Sequence, residues 1–290
     1  MSKLQIKAFF DDETKTVTYV VFDRLTKDAA IIDPVFDFNM ASGELSTDSA
    51  DTLIQFINES TLNLNWILET HAHADHITSA TYLQQKCGGK IGIGEHIKDV
   101  HDAFGETFNC KEQLTCNIEL FDCLFKDGDV IELGQFNIAV IHTPGHTPAC
   151  VSYKIEDNVF VGDTLFMPDF GTARADFPGG DAKTLYRSIQ RILSLPDDTK
   201  IYVGHDYKTP NREKYAWEST VAEQKRGNVH VRDGKSEREF VQMRSDRDAE
   251  LAVPKLLFPS IQLNIRAGTL PIAEDNGIAY VKVPLSMSKG

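Results

Sequence analysis

Positive charge is scarce in this sequence. Its 290 residues contain 30 lysine and arginine residues against 43 aspartate and glutamate residues, which gives a formal net charge of -13. Non-specific binding to nucleic acid or to an anionic membrane needs a basic surface, because both partners carry a dense negative charge. We therefore expect neither nucleic acid nor a membrane among the partners.

Long apolar runs and paired cysteines are also missing. No apolar run reaches the length that spans a bilayer, and residues 1–7 lack the apolar core of a signal peptide. The cysteines form no C-x-x-C pair, and their odd number leaves at least one unpaired in a monomer. We expect reduced, non-catalytic thiols and a cytoplasmic protein, while a homo-oligomer is compatible with the sequence. The five cysteines are Cys87, Cys110, Cys116, Cys123 and Cys150.

Histidine and aspartate are concentrated in one short stretch. They alternate with alanine over residues 71–76, directly after the apolar segment 64–68, which reads as a strand buried on both faces. Side chains two residues apart project to one side of an extended chain, so His71 and His73 can bind one metal ion together. Asp75 and His76 then belong to a second ion or to a shell around the first. The alternative is a polar cap on the next helix, which would leave too many buried polar groups without partners.

Three more candidate ligands follow predicted strands. His146 lies in a turn that Pro144 and Gly145 constrain, Asp163 follows the strand 158–161, and His205 follows the strand 199–203. Ligands at strand ends can meet at one edge of a sheet. The histidines at positions 96, 101 and 142 fit no ligand spacing, so we expect surface or core roles for them.

The order of predicted elements indicates the fold. β-rich segments are followed by a helix, a strand and a helix, and this order occurs twice. We predict an α/β protein in which two β-sheets pack face to face with helices outside, a four-layered αββα sandwich. The domain spans residues 1–225, and residues 226–290 form a C-terminal extension packed on it. Helices are expected from Ser49, at 77–87, 181–195 and 215–226, and from Ser236, where Glu239 completes a capping box. Loops and short helices are expected over 95–126.

The ordered set of histidines and aspartates resembles the metallo-β-lactamase superfamily. The resemblance extends from about residue 5 to residue 225 and implies an αββα sandwich with a metal site at the edge between the two sheets. It implies two adjacent sites that share Asp163. The first would use His71, His73, His146 and Asp163, and the second Asp75, His76, His205 and Asp163.

Two families within the superfamily are similar to this chain: the glyoxalase II thioesterases and the persulfide dioxygenases. Segments 238–243 and 264–268 look like the C-terminal part of the dioxygenases, and those of a bacterial branch are the most similar. Residues 171–177 look like the loop that places an arginine by their substrate channel. The best-known members have a cysteine where this chain has Thr172, and this departure puts the substrate in question.

The resemblance leaves two chemistries open. In a dioxygenase, His71, His146 and Asp163 would hold one Fe(II) per chain, and a glutathione persulfide would react with O2 to give sulfite. In a binuclear hydrolase, two Zn(II) ions would share Asp163 and activate a water that attacks a glutathione thioester, with Asp75 orienting that water. The ligand residues are the same in both, so the sequence does not decide the metal. A metal-free or zinc-only binding module is a third alternative.

Substrate-binding residues follow from charge. A glutathione-like substrate is anionic, so an acidic chain needs local cations, and Arg174 and Arg266 are the candidates. The alternative for both is a salt bridge that holds the C-terminal segment. Tyr207 follows His205 and is a candidate to donate its hydroxyl to the substrate or to bound oxygen, with core packing as the alternative.

Overall fold

The first of two large β-sheets is built mainly by the N-terminal part of the chain. The computed structural model describes residues 3–109 and 120–285. Six strands form this sheet, in the order β1-β2-β3-β6-β8-β9. A small sheet of order β5-β4-β7 stands beside it. The strands are Leu4–Phe10 (β1), Val17–Asp23 (β2), Asp28–Ile32 (β3), Val35–Asn39 (β4), Glu44–Ser46 (β5), Asn63–Leu68 (β6), Ile77–Thr78 (β7), Lys90–Gly94 (β8) and Cys123–Phe125 (β9).

The second large sheet also has six strands, which pair in sequence order from β10 to β15. All neighbours are antiparallel except β13 and β14, which run parallel because a helix connects them. The strands are Val130–Leu133 (β10), Phe136–His142 (β11), Val151–Ile155 (β12), Asn158–Phe160 (β13), Lys200–Tyr202 (β14) and Glu218–Thr220 (β15).

Helices cover the outer face of each sheet. Four helices pack outside the first sheet: Asp48–Glu59 (α1), Ala80–Cys87 (α2), Ile97–Thr107 (α3) and Leu257–Asn264 (α7). Three pack outside the second: Ala182–Leu193 (α4), Val221–Gly227 (α5) and Glu237–Asp248 (α6). No helix in the described part of the chain is long and apolar enough to cross a membrane.

Three apolar cores separate four layers. In β3, Ala29 and Ile31 face the helices, whereas Ala30 and Ile32 face the second sheet, as the two-residue repeat of a strand requires. The middle core joins Tyr19 and other first-sheet residues to the second sheet, and each large buried side chain contributes about 1.5–3 kcal/mol. The predicted αββα sandwich is confirmed.

Some predicted element boundaries were wrong. The helix expected over 215–226 begins only at Val221, because Glu218–Thr220 pairs with β14 and Thr220 then forms the capping box of α5. Ile77–Thr78 pairs with β4 instead of opening a helix. The segment 95–126 contains the regular helix α3 and the strand β9, and Cys110 and Cys116 fall outside the described residues. The capping box of Ser236 and Glu239 is present.

The C-terminal segment packs on both outer layers. Helix α6 lies against α4, and α7 lies against β7. Helix α7 ends at Asn264, whose buried side chain reaches the histidine-rich loop after β6. This contact ties the last helix to the candidate functional site.

Candidate metal centre

The histidine-rich loop begins where β6 ends, and Asp33 holds its first residues. Both the backbone N–H and the hydroxyl of Thr70 donate to the Asp33 carboxylate, at 2.7 and 2.8 Å. Asp33 follows β3, the strand beside β6, and takes a left-handed backbone with φ of 51°. The two strand ends therefore fix the start of the loop.

Three residues from three loops form the first group of potential ligands. His71 follows β6, His146 lies between β11 and β12, and Asp163 lies in a 3-10 turn after β13. One ligand atom of each lies within 4.8 Å of the others, and all three side chains are buried. The Asp163 Oδ2 atom is 3.6 Å from His146 Nε2 and 4.0 Å from His71 Nε2.

A glycine allows His146 to reach this position. Gly145 has φ of 135°, and a Cβ atom there would collide with the backbone of Leu185 at the start of α4. The close approach of the turn to the helix is therefore open only to glycine. The predicted constraint on the turn is present.

The second group lies beside the first. It contains His73, Asp75, His76 and His205, whose ligand atoms again lie within 4.8 Å of one another. The Asp75 Oδ2 atom is 3.2 Å from His205 Nε2. The other oxygen of Asp163, Oδ1, is 3.4 Å from His205 Nε2, so this carboxylate spans the two groups. The structure thus brings together all seven predicted ligands and places His73 in the second group.

The centre has the chemistry of a metal site. In residues 3–109 and 120–285, several buried ring nitrogens and carboxylate oxygens of both groups have no hydrogen-bond partner. Buried polar atoms are nearly always paired, and imidazole nitrogens and carboxylate oxygens are ligands of zinc and iron. A divalent ion would satisfy them, so these residues fit a metal. The unpaired atoms are His71 Nε2, His73 Nδ1, Asp75 Oδ2, His76 Nε2 and Asp163 Oδ1.

The other ring nitrogen of each histidine is held by a neighbour. His146 Nδ1–H donates to the carbonyl of Arg174 at 2.8 Å, and His73 Nε2 lies 3.1 Å from Asp33 and 3.2 Å from Glu69. The Thr70 hydroxyl lies 3.0 Å from His71 Nδ1. One hydroxyl, Thr16 Oγ1, lies 3.2 Å from His76 Nδ1 and 3.3 Å from His205 Nδ1. Such contacts orient each ring so that its free nitrogen faces the centre.

The histidines differ in their proton affinity. Burial, together with the neighbouring histidines, lowers the pKa of His71 well below its usual range, and burial also lowers the pKa of His76. These rings stay neutral and keep a lone pair for a metal. Burial opposes a charge on His73 as well, but the carboxylates of Asp33 and Glu69 outweigh it and raise the pKa of His73.

A cavity of about 310 Å³ opens at the centre. Asp75, His146 and Asp163 line it, together with several aromatic side chains. Tyr207 lines the cavity, stacks on His205 and is 41% exposed. Desolvation by the surrounding protein and the charges of Asp75 and Asp163 raise the pKa of the Tyr207 hydroxyl, which therefore stays protonated at neutral pH and can donate a hydrogen bond. The aromatic residues of the wall are Phe166, Phe170, Phe177 and Tyr207.

The two predicted substrate arginines occupy different places. Arg174 lines the cavity, but its guanidinium forms two hydrogen bonds to Asp176 and one to the carbonyl of Ala252. The ion pair with Asp176 is local, and the hydrogen bond to Ala252 is the contact that reaches the C-terminal segment. Arg266 is buried and is not among the described residues that line the cavity.

Helix α6 brings two arginines that the sequence analysis missed. Arg244 and Arg247 line the cavity one helical turn apart. Arg244 is buried and paired with Asp248 at 2.7 Å. Arg247 is exposed, and its guanidinium has no ion-pair partner in the part of the chain that the structure describes. The sequence signal was only the arginine spacing on α6, which a solvated helix face would also produce.

The described cysteines lie away from the cavity. Cys87, Cys123 and Cys150 are free, and none of these three lines it. Burial raises the pKa of the Cys150 thiol to about 12, so this thiol stays protonated. At the position of the family's cysteine, Thr172 lines the cavity and bonds to His230.

Comparison with known proteins accords with this geometry. The model of the metallo-beta-lactamase superfamily matches residues 12–205. Glyoxylase B2 of Dictyostelium discoideum is 47% identical over 290 residues, which cover 99% of each chain. The mitochondrial persulfide dioxygenase ETHE1 of Homo sapiens is 34% identical over 205 residues, 70% of this chain and 68% of that protein. The crystal structure of ETHE1 from Myxococcus xanthus superposes with a TM-score of 0.73 at 31% identity, covering 91% of this chain and all of the other. The chain belongs to the metallo-beta-lactamase superfamily.

Proposed function

We propose that the protein is a persulfide dioxygenase that holds one Fe(II) per chain with His71, His146 and Asp163. The carrying observation is that the ligand atoms of His71, His146 and Asp163 lie within 4.8 Å of one another and that His146 and Asp163 line the cavity. Two histidines and a carboxylate are the ligand set of many non-haem iron oxygenases. The similarity to the human persulfide dioxygenase and to the Myxococcus structure supports the same reaction class.

The reaction is an oxidation of the outer sulfur of a persulfide. Glutathione persulfide, O2 and water give glutathione, sulfite and two protons. The sulfur–sulfur bond breaks, the inner sulfur leaves as the thiol, and O2 accepts four electrons. Bound iron would supply the redox chemistry that this reaction needs, and the protein supplies binding and orientation.

Charge and shape at the cavity fit an anionic thiol carrier. The exposed guanidinium of Arg247 is free to bind a substrate carboxylate, whereas Arg174 already has a partner in Asp176. The aromatic wall suits the carrier's peptide backbone and methylene groups. Tyr207 lines the cavity, and its protonated hydroxyl would donate a hydrogen bond to the substrate. Asp75 and the three histidines of the second group would orient ligands and water around the first.

A binuclear zinc thioesterase is the second candidate. The specific observation in its favour is that Asp163 spans both groups, as a carboxylate shared by two ions would. The relative named Glyoxylase B2 matches over the full chain. In this alternative, Asp75 would orient the water that attacks the thioester carbonyl.

Metal analysis combined with two assays separates the candidates. Protein purified without oxygen should contain about one iron per chain and should consume O2 only when a persulfide is added, with sulfite as product. Rapid hydrolysis of S-lactoylglutathione by a form with two zinc ions, without persulfide-dependent O2 uptake, would establish the thioesterase instead. His96→Ala is a matched control for ligand variants, because this histidine is exposed and pairs with Asp99.

A further inference from the structure

A second, much smaller cavity lies behind His146. The space open to the centre of a water-sized sphere is about 10 Å³, which is room for one small molecule. Its wall includes Ala72 of the histidine-rich loop, Val100 and Phe104 of α3, and Ile261 of α7. The outer helix layer therefore supplies much of this wall.

The small cavity adjoins the large one. Ala74, His146 and Phe177 line both. The His146 ring is 5.1 Å from the Phe177 ring in an edge-to-face contact, so these two side chains form the partition. A molecule in the small cavity is thus within one side-chain thickness of the candidate metal centre.

The wall offers water few partners. His146 and Thr147 are its two polar residues, and both are engaged elsewhere: His146 Nδ1 donates to the Arg174 carbonyl, and the Thr147 hydroxyl lies 3.1 Å from Cys150 Sγ. A buried water needs about two to four polar partners, and apolar cavities without them stay dry and take up xenon or small hydrocarbons. The site favours a small apolar molecule over water.

We propose that this cavity holds dioxygen next to the metal centre before it reacts. This inference rests on the proposed dioxygenase function, since a thioesterase has no use for such a molecule. Dioxygen is small and apolar, so its transfer from water to this cavity has a small free-energy cost, whereas an anionic persulfide would lose its hydration here. The persulfide would occupy the large cavity lined by Arg247, so the two reactants have separate sites beside His146.

An ordinary packing void is the competing explanation. It predicts that filling the space changes stability only, because voids lose contacts and nothing else. Val100→Leu adds one methylene beside the cavity, at a helix position that tolerates leucine. Val140→Leu is the matched control, since it adds the same group to the core between the sheets.

The test combines xenon-pressurised crystals with oxygen kinetics. Xenon should occupy the cavity in the wild type and in Val140→Leu, and it should be lost in Val100→Leu. In the iron-loaded enzyme, Val100→Leu should lower kcat/KM for O2 by about threefold or more and leave KM for the persulfide unchanged. Val140→Leu should leave both constants unchanged.

The outcomes separate this inference from the function on which it rests. Absence of xenon from the wild-type cavity overturns the site. The inference also fails if a Val100→Leu variant that no longer binds xenon keeps the wild-type kcat/KM for O2, because turnover then continues without the cavity. If the iron-loaded wild type takes up no O2 with any persulfide, the proposed function fails, and the dioxygen role fails with it.

Discussion

Asn264 at the end of α7 should control metal affinity from outside the ligand set. Its side-chain amide donates to the carbonyls of His73 and His76, both at 2.7 Å, and its oxygen accepts from the N–H of Thr78 at 2.9 Å. The residue is 2% exposed, so water cannot replace these bonds. One side chain therefore fixes both ends of the loop that carries the second ligand group.

Asn264→Ala removes three hydrogen bonds and leaves three backbone groups buried without partners. At about 1 kcal/mol for each bond, with an added penalty for the orphaned groups, the loss of unfolding free energy should be about 3–5 kcal/mol. The loop is then free to move His73 and His76 away from the centre. Loss of such supporting contacts lowers metal affinity by about 10–100-fold.

Gln262 on the same helix provides a matched control. Its amide donates to the carbonyls of Phe258 and Lys282, and its oxygen accepts from the N–H of Lys282. Gln262→Ala thus removes the same number of side-chain hydrogen bonds, but Lys282 is exposed and water can replace its bonds, so the loss of unfolding free energy should be smaller. These bonds lie within the C-terminal segment, so metal affinity should stay within about twofold of the wild type.

Two measurements test the reasoning. Denaturant unfolding of the chelator-treated proteins gives the stability of each variant without metal, and titration with Fe(II) or Zn(II) against a competing chelator gives affinity. Equal metal affinities in Asn264→Ala and Gln262→Ala would refute the role of Asn264. A loss of stability below about 1 kcal/mol in Asn264→Ala would refute the hydrogen-bond reasoning itself.

Four further predictions concern single residues. His146→Ala should lower kcat/KM by more than about 100-fold with a near-native circular dichroism spectrum, because a ligand is lost while the cores remain; retention of metal and activity would contradict this. Arg247→Ala should raise KM for a glutathione persulfide by about tenfold with kcat unchanged in steady-state assays, since a cation that holds the carrier binds the ground state and the transition state alike. An unchanged KM would exclude Arg247 as a substrate-binding residue. Asp248→Leu should lower the unfolding free energy by about 3–5 kcal/mol in denaturant unfolding, because it leaves the buried Arg244 without its partner. Adding Arg244→Met should recover part of this loss. Equal losses in the single and the double variant would argue against the pairing. Burial lowers the pKa of His230 from 6.5 to about 4, so between these pH values His230 is neutral in the folded protein and protonated in the unfolded chain. The unfolding free energy should therefore fall by up to about 3 kcal/mol from pH 6.5 to pH 4, as measured by denaturant unfolding. A His230→Gln variant with the same pH dependence of stability would show that other groups cause it.

Local sequence patterns predicted the layers of the fold. The inner strand β3 carries apolar residues on both faces, and the amphipathic helix α4 carries Leu185, Ile189 and Ile192 on one side, so their burial followed from periodicity. The exception was the strand Glu218–Thr220. Its residues have no strand pattern of their own, and its pairing with β14 is a tertiary contact.

The ligand positions were predictable because each follows a strand, but their supports were not. Thr16, Asp33 and Asn264 contact the ligand residues from distant parts of the chain, and nothing in their local sequence marks that contact. Asn264 lies 191 positions after His73. Only the packing of α7 against β7 brings them together.

Charge was the least predictable property. The sequence favoured Arg174 and Arg266 as free cations, but pairing depends on which carboxylate the fold places nearby. Arg174 meets Asp176 and the C-terminal backbone, whereas Arg247 stays free at the cavity rim. The net charge therefore predicted that the cavity needs a cation, but it did not predict which arginine supplies that cation.

Thr172 shows how a departure from a family pattern acquires a physical explanation. Its N–H and its hydroxyl both lie 3.1 Å from His230 Nδ1, and its carbonyl accepts from Arg244. Burial keeps His230 neutral, so Nδ1 has the lone pair that these donors need. A cysteine would bring a weaker donor to this acceptor. Position 172 thus secures the loop that leads to the Arg174 carbonyl and, through it, to the ring of His146, and this support needs no thiol.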